Sequence, residues 1–160
     1  MKVNPKTRIG HIHLTVANLD RSLKFYRDIL GFEVTQKYGD SAVFLSAGGY
    51  HHHIGLNTWQ GEGVKPQPQG YAGLFHFAIL YPSRKELAKT LQSLIDHKYP
   101  IEGATDHGVS EALYLNDPDN IGVELYADRA KKLWPTSQEG RLEMVSKTLD
   151  IQSLLKELES

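Results

Sequence analysis

The sequence predicts an α+β fold: two repeated βαβββ modules that form a curved mixed sheet around a cleft, followed by a helical C-terminal tail. Two observations support this prediction. The order strand, helix and three strands occurs twice along the chain. Laying His11 on His76 also places residues 20–30 on residues 85–95 without a gap, and a repeat of only two copies is typical of a pseudo-twofold pair. The predicted boundaries are 8–129 for a single domain, 8–59 and 72–127 for its modules, 60–71 for the linker and 130–160 for the tail.

The composition is that of a globular chain. Of 160 residues, 40% are hydrophobic and 23% are charged, which excludes whole-chain disorder and a fibrous structure. A formal net charge of -1 gives no reason to expect a nucleic acid or a membrane surface as a partner. The absence of cysteine excludes a disulfide framework, a thiolate zinc site and a cysteine nucleophile. Because neither a bilayer-spanning apolar stretch nor a signal peptide is visible, we expect a cytoplasmic protein.

The first module opens with a strand and a helix. Apolar and polar side chains alternate over 9–16, the pattern of a half-buried strand. Apolar residues recur near helical spacing over 20–30, and Gly31 follows at the position where glycine often ends a helix. Three further strands are predicted at 32–37, 42–46 and 50–58.

The second module repeats this order. A strand is predicted over 73–81, and Ser83 followed three residues later by Glu86 is the signature of a capping box that opens a helix. The remaining strands are predicted at 101–105, 110–116 and 121–126.

The tail carries an apolar stripe at helical spacing. Its members are Leu149, Ile151, Leu154, Leu155 and Leu158. A helix this short is not stable alone, so we expect it to pack against its own domain or against a second copy of the chain. If the tail packs against a second copy, the protein is a homo-oligomer. In neither arrangement do we expect the tail to contribute a metal ligand.

The predicted strands carry side chains of the kind that bind metal ions. His11 and His13 lie two residues apart, so on a strand they share a face. The repeat separates them, because His11 corresponds to His76 whereas His13 corresponds to Ala78. Taken singly, each would be an ordinary half-buried histidine. The repeat-related pair, together with Glu124 between two apolar residues of the last strand, instead indicates a site of two imidazoles and one carboxylate, a set suited to Fe(II).

A run of three histidines lies on the predicted strand 50–58. By strand alternation His52 shares a face with Ile54, whereas His51 and His53 face the other way. If the apolar face points inward, His52 enters the cleft as an acid or base, because histidine titrates near neutral pH. We expect His51 and His53 to be exposed to water.

A third group lies near the end of the second module. His107 precedes a strand, and Tyr114 lies ten residues before Glu124. The Asp-Pro-Asp-Asn sequence at 117–120 is good turn chemistry and is expected without any function. A tyrosine such as Tyr114 is more often a core aromatic, so its interest here comes from its spacing to Glu124.

The chain resembles members of the vicinal oxygen chelate superfamily, which includes glyoxalases, bleomycin-resistance proteins and extradiol dioxygenases. The resemblance covers about residues 9–127 and rests on the repeat and on four motifs: HIHLTVANLDRSLKFYRDILGF, GGYHHHIGLNTW, LFHFAIL and HGVSEALYLNDPDNIGVELY. The last motif is similar to the signature of the type I extradiol ring-cleaving dioxygenases, such as catechol 2,3-dioxygenases. The signature prefers Gly or Pro where this chain has Asn120, a departure that affects a turn and not a ligand.

The resemblance implies three metal ligands, one acid–base residue and two residues that contact the substrate or the bound oxygen. The implied metal ligands are His11, His76 and Glu124, and the implied acid–base residue is His52. His107 and Tyr114 are the residues implied to contact the substrate or the bound oxygen. The implied activity is the Fe(II)-dependent cleavage of a catechol-type ring by O2, so the implied partners are a small aromatic diol and O2. Mn(II), Zn(II) and Ni(II) are the alternative metals.

Two other functions stay open. A glyoxalase-like or epimerase-like lyase or isomerase would share the fold. By the resemblance, however, lactoylglutathione lyases use a second glutamate ligand on the last strand of the first module, where residues 51–56 contain no carboxylate. A non-catalytic module that binds a small aromatic molecule would use the same cleft, but bleomycin-sequestering members typically lack the ligand set that this chain retains. Stoichiometric iron would favour the dioxygenase, nickel or zinc the lyase, and no metal the binding module.

Overall fold

The computed structural model describes residues 1–66, 68 and 70–159. It divides into two compact units, Met1–Pro66 and Gln67–Ser160, which we call unit 1 and unit 2. The division falls inside the predicted linker 60–71, of which residues 67 and 69 lie outside the described residues. Each unit contains one βαβββ module, so the α+β class and the predicted repeat are confirmed.

Unit 1 contains a four-stranded mixed sheet. Its strands are β1 (Ile12–Thr15), β2 (Glu33–Tyr38), β3 (Ala42–Ser46) and β4 (Ile54–Asn57). The strand order is β1-β4-β3-β2, in which β1 and β4 run parallel and the other neighbours run antiparallel. This parallel pairing brings the start of β1, where His11 lies, next to the start of β4, where the histidine run lies.

The helical segment of unit 1 changes its geometry midway. Helix α1 (Leu19–Leu23) continues into a π-helical turn over Lys24–Ile29, and Gly31, with a φ of 83°, follows its end. The predicted helix 20–30 is therefore present, with a wider second half. Phe25 and Tyr26 are consecutive in this turn, and both are buried.

Unit 2 repeats the arrangement in a five-stranded mixed sheet. Its strands are β5 (His76–Tyr81), β6 (Gly103–Asp106), β7 (Ser110–Asn116), β8 (Gly122–Asp128) and β9 (Lys147–Thr148). The order is β5-β8-β7-β6-β9, and β5 and β8 run parallel. Helix α2 (Arg84–Asp96) begins as predicted, with the Ser83 hydroxyl accepting the Glu86 N–H at 3.2 Å. Among the described residues, no helix has the length and apolar character needed to cross a membrane.

The tail belongs to unit 2, and residue 160 lies outside its described part. It adds β9 antiparallel to β6 and then forms helix α3 (Ile151–Leu155), which ends in a 3-10 turn over Lys156–Leu158. The predicted tail helix is thus confirmed. Leu149 and Leu154 of the apolar stripe are 5% and 0% exposed, and α3 packs against α2. The stripe therefore packs within its own unit, one of the two arrangements expected.

Strand β4 is shorter than the predicted strand 50–58. The histidine run, His51–His53, precedes β4 in a bend. In β2 the pairing register shifts at Thr35, whose hydroxyl donates to the carbonyl oxygen of His51 at 2.8 Å. Among the described residues, backbone pairing with the neighbouring strands reaches back only to His53, whose N–H donates to the Leu45 carbonyl oxygen at 2.8 Å and whose carbonyl oxygen accepts the Ile12 N–H at 3.0 Å. The assignment of His52 to the face of Ile54 was wrong, because the His52 ring contacts Phe44, which pairs with Gly55 and so lies on the opposite face.

Candidate active site

His76 and Glu124 meet on one face of the sheet of unit 2. In the parallel pair of β5 and β8, His76 lies opposite Gly122, and Ala78 lies opposite Glu124. Residues two apart on a strand share a face, so the side chains of His76 and Glu124 point to the same side. The Nε2 atom of His76 lies 3.1 Å from Oε2 of Glu124.

Gly122 makes this close approach of the two strands feasible. A Cβ atom at Gly122 would lie 2.3 Å from the carbonyl oxygen of Phe75 and 3.0 Å from the Cβ atom of His76. A backbone oxygen cannot rotate aside as a flexible side chain can. Any other residue at this position would push β5 away from β8, so Gly122 fixes the position of His76.

Tyr114 and His107 extend the contact across the sheet. Strand β7 pairs Tyr114 directly with Glu124, and the Tyr114 hydroxyl donates to Oε1 of Glu124 at 3.0 Å. Nε2 of His107 lies 2.8 Å from the same hydroxyl. The side chains of His76, Glu124, Tyr114 and His107 thus form a continuous line of hydrogen-bonding groups, which we call the polar row.

Tyr114 is held in its neutral form. Burial, followed by the hydrogen bond to Glu124 and the negative charge of that carboxylate, raises the pKa of Tyr114 to about 12. The phenol therefore keeps its proton across the physiological pH range. A neutral phenol at this position can donate a hydrogen bond to an oxygen atom that gains negative charge.

The turn before β8 accommodates the departure at Asn120. Asn120 has a φ of 63°, in the left-handed region. Asparagine tolerates this region better than most residues, as glycine does. The carboxylate of Asp117 accepts the N–H groups of Asp119 and Ile121, both at 2.8 Å, and holds the turn closed. The departure therefore leaves the approach of the chain to Glu124 intact.

In unit 1, His11 and His52 are in contact. His11 lies just before β1, and its ring centroid is 4.4 Å from that of His52. The ring of Phe44 approaches His52 to 5.0 Å, and Nδ1 of His51 lies 2.8 Å from Nδ1 of His52. Burial and then the charges of neighbouring imidazoles, first that of His11, lower the pKa of His52. The His52 ring is therefore neutral near pH 7, as a proton acceptor must be.

His13 has a packing role. It lies opposite Gly55 in the parallel pair of β1 and β4, and its ring covers the space a side chain at Gly55 would fill, with Cδ2 only 2.9 Å from a Cβ built there. Trp59 contacts the same ring with centroids 5.1 Å apart. Burial and then the charge of His11 lower the pKa of His13. These contacts are those of a side chain that packs on the sheet.

The two outer histidines of the run differ from the expectation that both are simply exposed. His53 is half-buried, and its Nδ1 lies 3.1 Å from the Ser46 hydroxyl and 3.3 Å from the amide nitrogen of Ala47. His53 therefore holds the connection between β3 and β4. His51 is exposed, as expected, but its ring nitrogen contacts His52 and does not face away from it.

The six predicted site residues thus fall into two groups. Unit 2 brings together His76, Glu124, Tyr114 and His107, and unit 1 brings together His11 and His52. Within either unit, the described residues contain no three His, Asp or Glu side chains grouped to hold a metal ion. The predicted ligand set takes residues from both units and stays a prediction.

The donor atoms of unit 2 fit a divalent metal ion. The 3.1 Å between Nε2 of His76 and Oε2 of Glu124 is the separation expected of two neighbouring ligands bound to one ion at about 2.1 Å. Imidazole and carboxylate donors without thiolate suit iron or manganese among the first-row metals.

Sequence reasoning missed three contributors to these groups: Gly122, the ring of His51 and the carbonyl group of Val145, which lies 3.1 Å from Nδ1 of His107. A glycine at the start of a strand is a recognised sign of close backbone approach, so Gly122 could have been found. No local pattern marks Val145, because its contribution comes from the backbone.

Comparison with known proteins places the chain in a family. The model of the Glyoxalase/Bleomycin resistance protein/Dioxygenase superfamily matches residues 8–125. The chain is 43% identical over 155 residues to a catechol-2,3-dioxygenase of Bacillus subtilis (strain 168), covering 97% of this chain and 53% of that protein. It is 29% identical over 139 residues to a manganese-dependent 2,3-dihydroxybiphenyl 1,2-dioxygenase of Geobacillus genomosp. 3, covering 84% of this chain and 41% of that protein.

The chain thus spans about half the length of the first of these relatives and less of the second. Among solved structures, the lactoylglutathione lyase of Agrobacterium tumefaciens matches with a TM-score of 0.60 and 24% identity, over 82% of this chain and 98% of that one. This structural likeness shows the fold alone. By its sequence match over 8–125 and its paired modules, the chain belongs to the Glyoxalase/Bleomycin resistance protein/Dioxygenase superfamily.

Proposed function

We propose that the protein is an extradiol dioxygenase that binds Fe(II) and uses O2 to open a catechol-type ring beside its hydroxyl groups. The observation that carries the proposal is the polar row, whose successive contacts measure 3.1, 3.0 and 2.8 Å. The relatives named as dioxygenases of catechol and dihydroxybiphenyl support the reaction class. The name of the second relative makes Mn(II) the first alternative metal, ahead of Zn(II) and Ni(II).

His11, His76 and Glu124 are the proposed ligands. A metal ion bound there would supply a Lewis-acid and redox centre for the diol and O2. Gly122 keeps His76 within reach of Glu124, and the Tyr114 hydroxyl holds the Glu124 carboxylate in place by donating to Oε1. The two imidazoles and the carboxylate leave other positions free for substrate.

His52 is the proposed acid–base residue. Its Nδ1 atom is engaged by Nδ1 of His51, so Nε2 is the nitrogen that can meet a substrate. For Nε2 to accept a proton, Nδ1 of His52 carries the shared proton and Nδ1 of His51 accepts it. His52 then takes a proton from a catechol hydroxyl and returns one during ring opening.

Tyr114 and His107 stabilise negative charge. Since the pKa of Tyr114 is raised to about 12, its hydroxyl stays protonated. The one proton, which bonds to Oε1 of Glu124 in the free protein, turns to an oxygen atom of the bound substrate that gains charge. His107 orients this hydroxyl through the 2.8 Å contact of its Nε2 atom. Tyr114 therefore acts on the reacting oxygens, His107 acts through Tyr114, and neither is a proposed metal ligand.

The test is oxygen uptake by protein loaded with Fe(II), or with Mn(II), without air and then mixed with a panel of catechols. We expect one O2 consumed per ring opened, with both atoms of ¹⁸O2 in the product. Glu124→Gln should abolish metal binding and uptake, and the exposed Glu102→Gln should change neither. No uptake with any catechol and either metal would overturn the proposal. Nickel- or zinc-dependent isomerisation of a glutathione adduct would show instead that the protein is a lyase. Binding of a diol without any metal would show that it is a binding module.

A further inference from the structure

The C-terminal tail contacts His107 through two hydrogen bonds to one residue. The N–H of Val145 donates to the carbonyl oxygen of His107 at 3.1 Å. The carbonyl oxygen of Val145 lies 3.1 Å from Nδ1 of the His107 ring. The superfamily match ends at residue 125, so this contact comes from a segment that lies beyond it.

A backbone carbonyl group can only accept a hydrogen bond. The contact with Val145 therefore requires the proton of a neutral His107 ring to lie on Nδ1. The lone pair of Nε2 then faces the Tyr114 hydroxyl at 2.8 Å and competes with Oε1 of Glu124 for its single proton. In the other neutral tautomer Nδ1 and the carbonyl oxygen would both be acceptors, and the contact would be lost.

We propose that the tail positions His107, and that the Val145 carbonyl group selects the tautomer in which Nε2 presents its lone pair to Tyr114. The inference rests on the function proposed above, because it gives Val145 a part in a reaction assigned to the polar row. Val145 is a positioning residue, because it acts through His107, to which both of its backbone groups are hydrogen-bonded.

Gly108, the residue after His107, leaves room for the tail to approach. Gly108 has a φ of 75°, and a Cβ atom there would lie 2.6 Å from Pro135 and 3.1 Å from the Val145 side chain. Its N–H donates to the Asp106 carboxylate at 2.8 Å. The tail therefore packs directly on the backbone beside His107, at a point where only glycine leaves room for it.

Charged side chains tie α3 to the sheet. Arg84 of α2 donates to the Ser153 carbonyl oxygen at 3.1 Å and to the Glu157 carboxylate at 2.6 Å. It also donates to Glu111 of β7 at 2.7 Å, and the Glu111 side chain is only 7% exposed. Charge-assisted hydrogen bonds of this kind are stronger than neutral ones and define geometry closely.

The same network reaches the end of β6. Arg129 donates to the second oxygen of Glu111 at 2.7 Å and to the Asp106 carboxylate at 2.8 Å. Asp106 immediately precedes His107. The ion pairs and the buried Leu149 and Leu154 thus anchor the tail on both sides of Val145 and keep its carbonyl group in place.

The test compares Val145→Pro with Val145→Ala in the full chain. Proline removes the N–H that bonds to His107 and puts a ring in its place, whereas alanine keeps both backbone groups. Nitrogen-15 NMR of metal-free protein labelled at histidine, at about pH 8, reports which ring nitrogen carries the proton, and His107→Asn identifies the His107 signals. We expect Nδ1 of His107 to be protonated in wild type and Val145→Ala, and a mixture of tautomers in Val145→Pro.

The activity arm measures kcat, KM and metal content of the same variants. In Val145→Pro we expect kcat to fall about tenfold to a hundredfold, the effect of a small misplacement near the reacting atoms, with metal content unchanged. An unchanged tautomer and an unchanged kcat in Val145→Pro would overturn the inference. If the tautomer changes in Val145→Pro but the wild-type protein consumes no O2, the positioning role of Val145 is supported and the proposed function is rejected.

A second variant serves if Val145→Pro does not fold. Leu149→Ala loosens the tail four residues further along, where the buried side chain anchors it. We then expect a minor population of the second His107 tautomer, together with a smaller fall in kcat. A Leu149→Ala protein with the wild-type His107 spectrum and kcat would overturn the inference.

Discussion

His51 and His52 face each other through like atoms: Nδ1 of one ring lies 2.8 Å from Nδ1 of the other. At this distance exactly one of the two nitrogens carries a proton, because two donors would repel and two acceptors would leave both unsatisfied. The Tyr50 ring packs against His51 with centroids 4.0 Å apart and limits its movement. The orientation and tautomer of His52 therefore depend on a neighbour that strand alternation predicts to face away.

The first prediction concerns this pair. Replacing His52 by Ala should keep the metal but lower turnover by about a hundredfold to ten-thousandfold, as expected for a positioned proton-transfer group. His51→Ala should also lower turnover, by less, and His51→Asn should restore part of it because an amide can occupy the same hydrogen bond. Steady-state kinetics with metal analysis measure these effects, with the exposed His97→Ala as control. Wild-type turnover in His51→Ala would show that the pair has no catalytic part.

The second prediction separates ligand from packing histidines. His76→Ala should abolish metal retention while the fold is kept, because it removes one of three proposed protein ligands. His13→Ala should keep the metal, since His13 packs over Gly55 and Trp59. The metal content of the two purified variants, with circular dichroism as a check on folding, decides between them. Greater metal loss in His13→Ala would mean that the ligand was chosen wrongly.

The third prediction concerns Gly122. In Gly122→Ala the new Cβ atom would meet the Phe75 carbonyl oxygen at 2.3 Å, so β5 and His76 must shift. We expect weaker metal binding and a free energy of unfolding lower by about 1–3 kcal/mol, the usual cost of overpacking. Gly103→Ala is the matched control, because its Cβ atom would meet nothing closer than 3.9 Å. Metal titration and urea unfolding measure the two effects, and equal results for both variants would contradict the role of Gly122.

The fourth prediction concerns the tail. Leu154 is 0% exposed, and Leu154→Ala should lower the free energy of unfolding by about 2–5 kcal/mol through lost burial and a residual cavity. Leu133→Ala, at a tail position that is 63% exposed, should change it little. Metal content should be the same in both, because the tail contributes no proposed ligand. A folded Leu154→Ala protein that has lost its metal would show that the tail closes the metal site.

Local patterns in the sequence determine most of the fold. The strands at Ala42–Ser46 and Ser110–Asn116 have the predicted bounds, and α2 begins at the predicted cap. Alternation, helical spacing and caps are set by neighbouring residues, so they can be read without the structure. The repeat likewise separates His76 from other histidines, and strand β8 then brings Glu124 to it.

The tertiary structure alone decides the details around each group. The Thr35 hydroxyl reaches the carbonyl oxygen of His51, ahead of the start of β4, and β9, only two residues long, aligns the tail so that Val145 reaches His107. Neither contact has a local signature, because each joins backbone groups far apart in sequence and depends on how strands pair. The sequence by itself thus determines which residue types are available to the site, whereas strand pairing decides the tautomers and contacts with which they act.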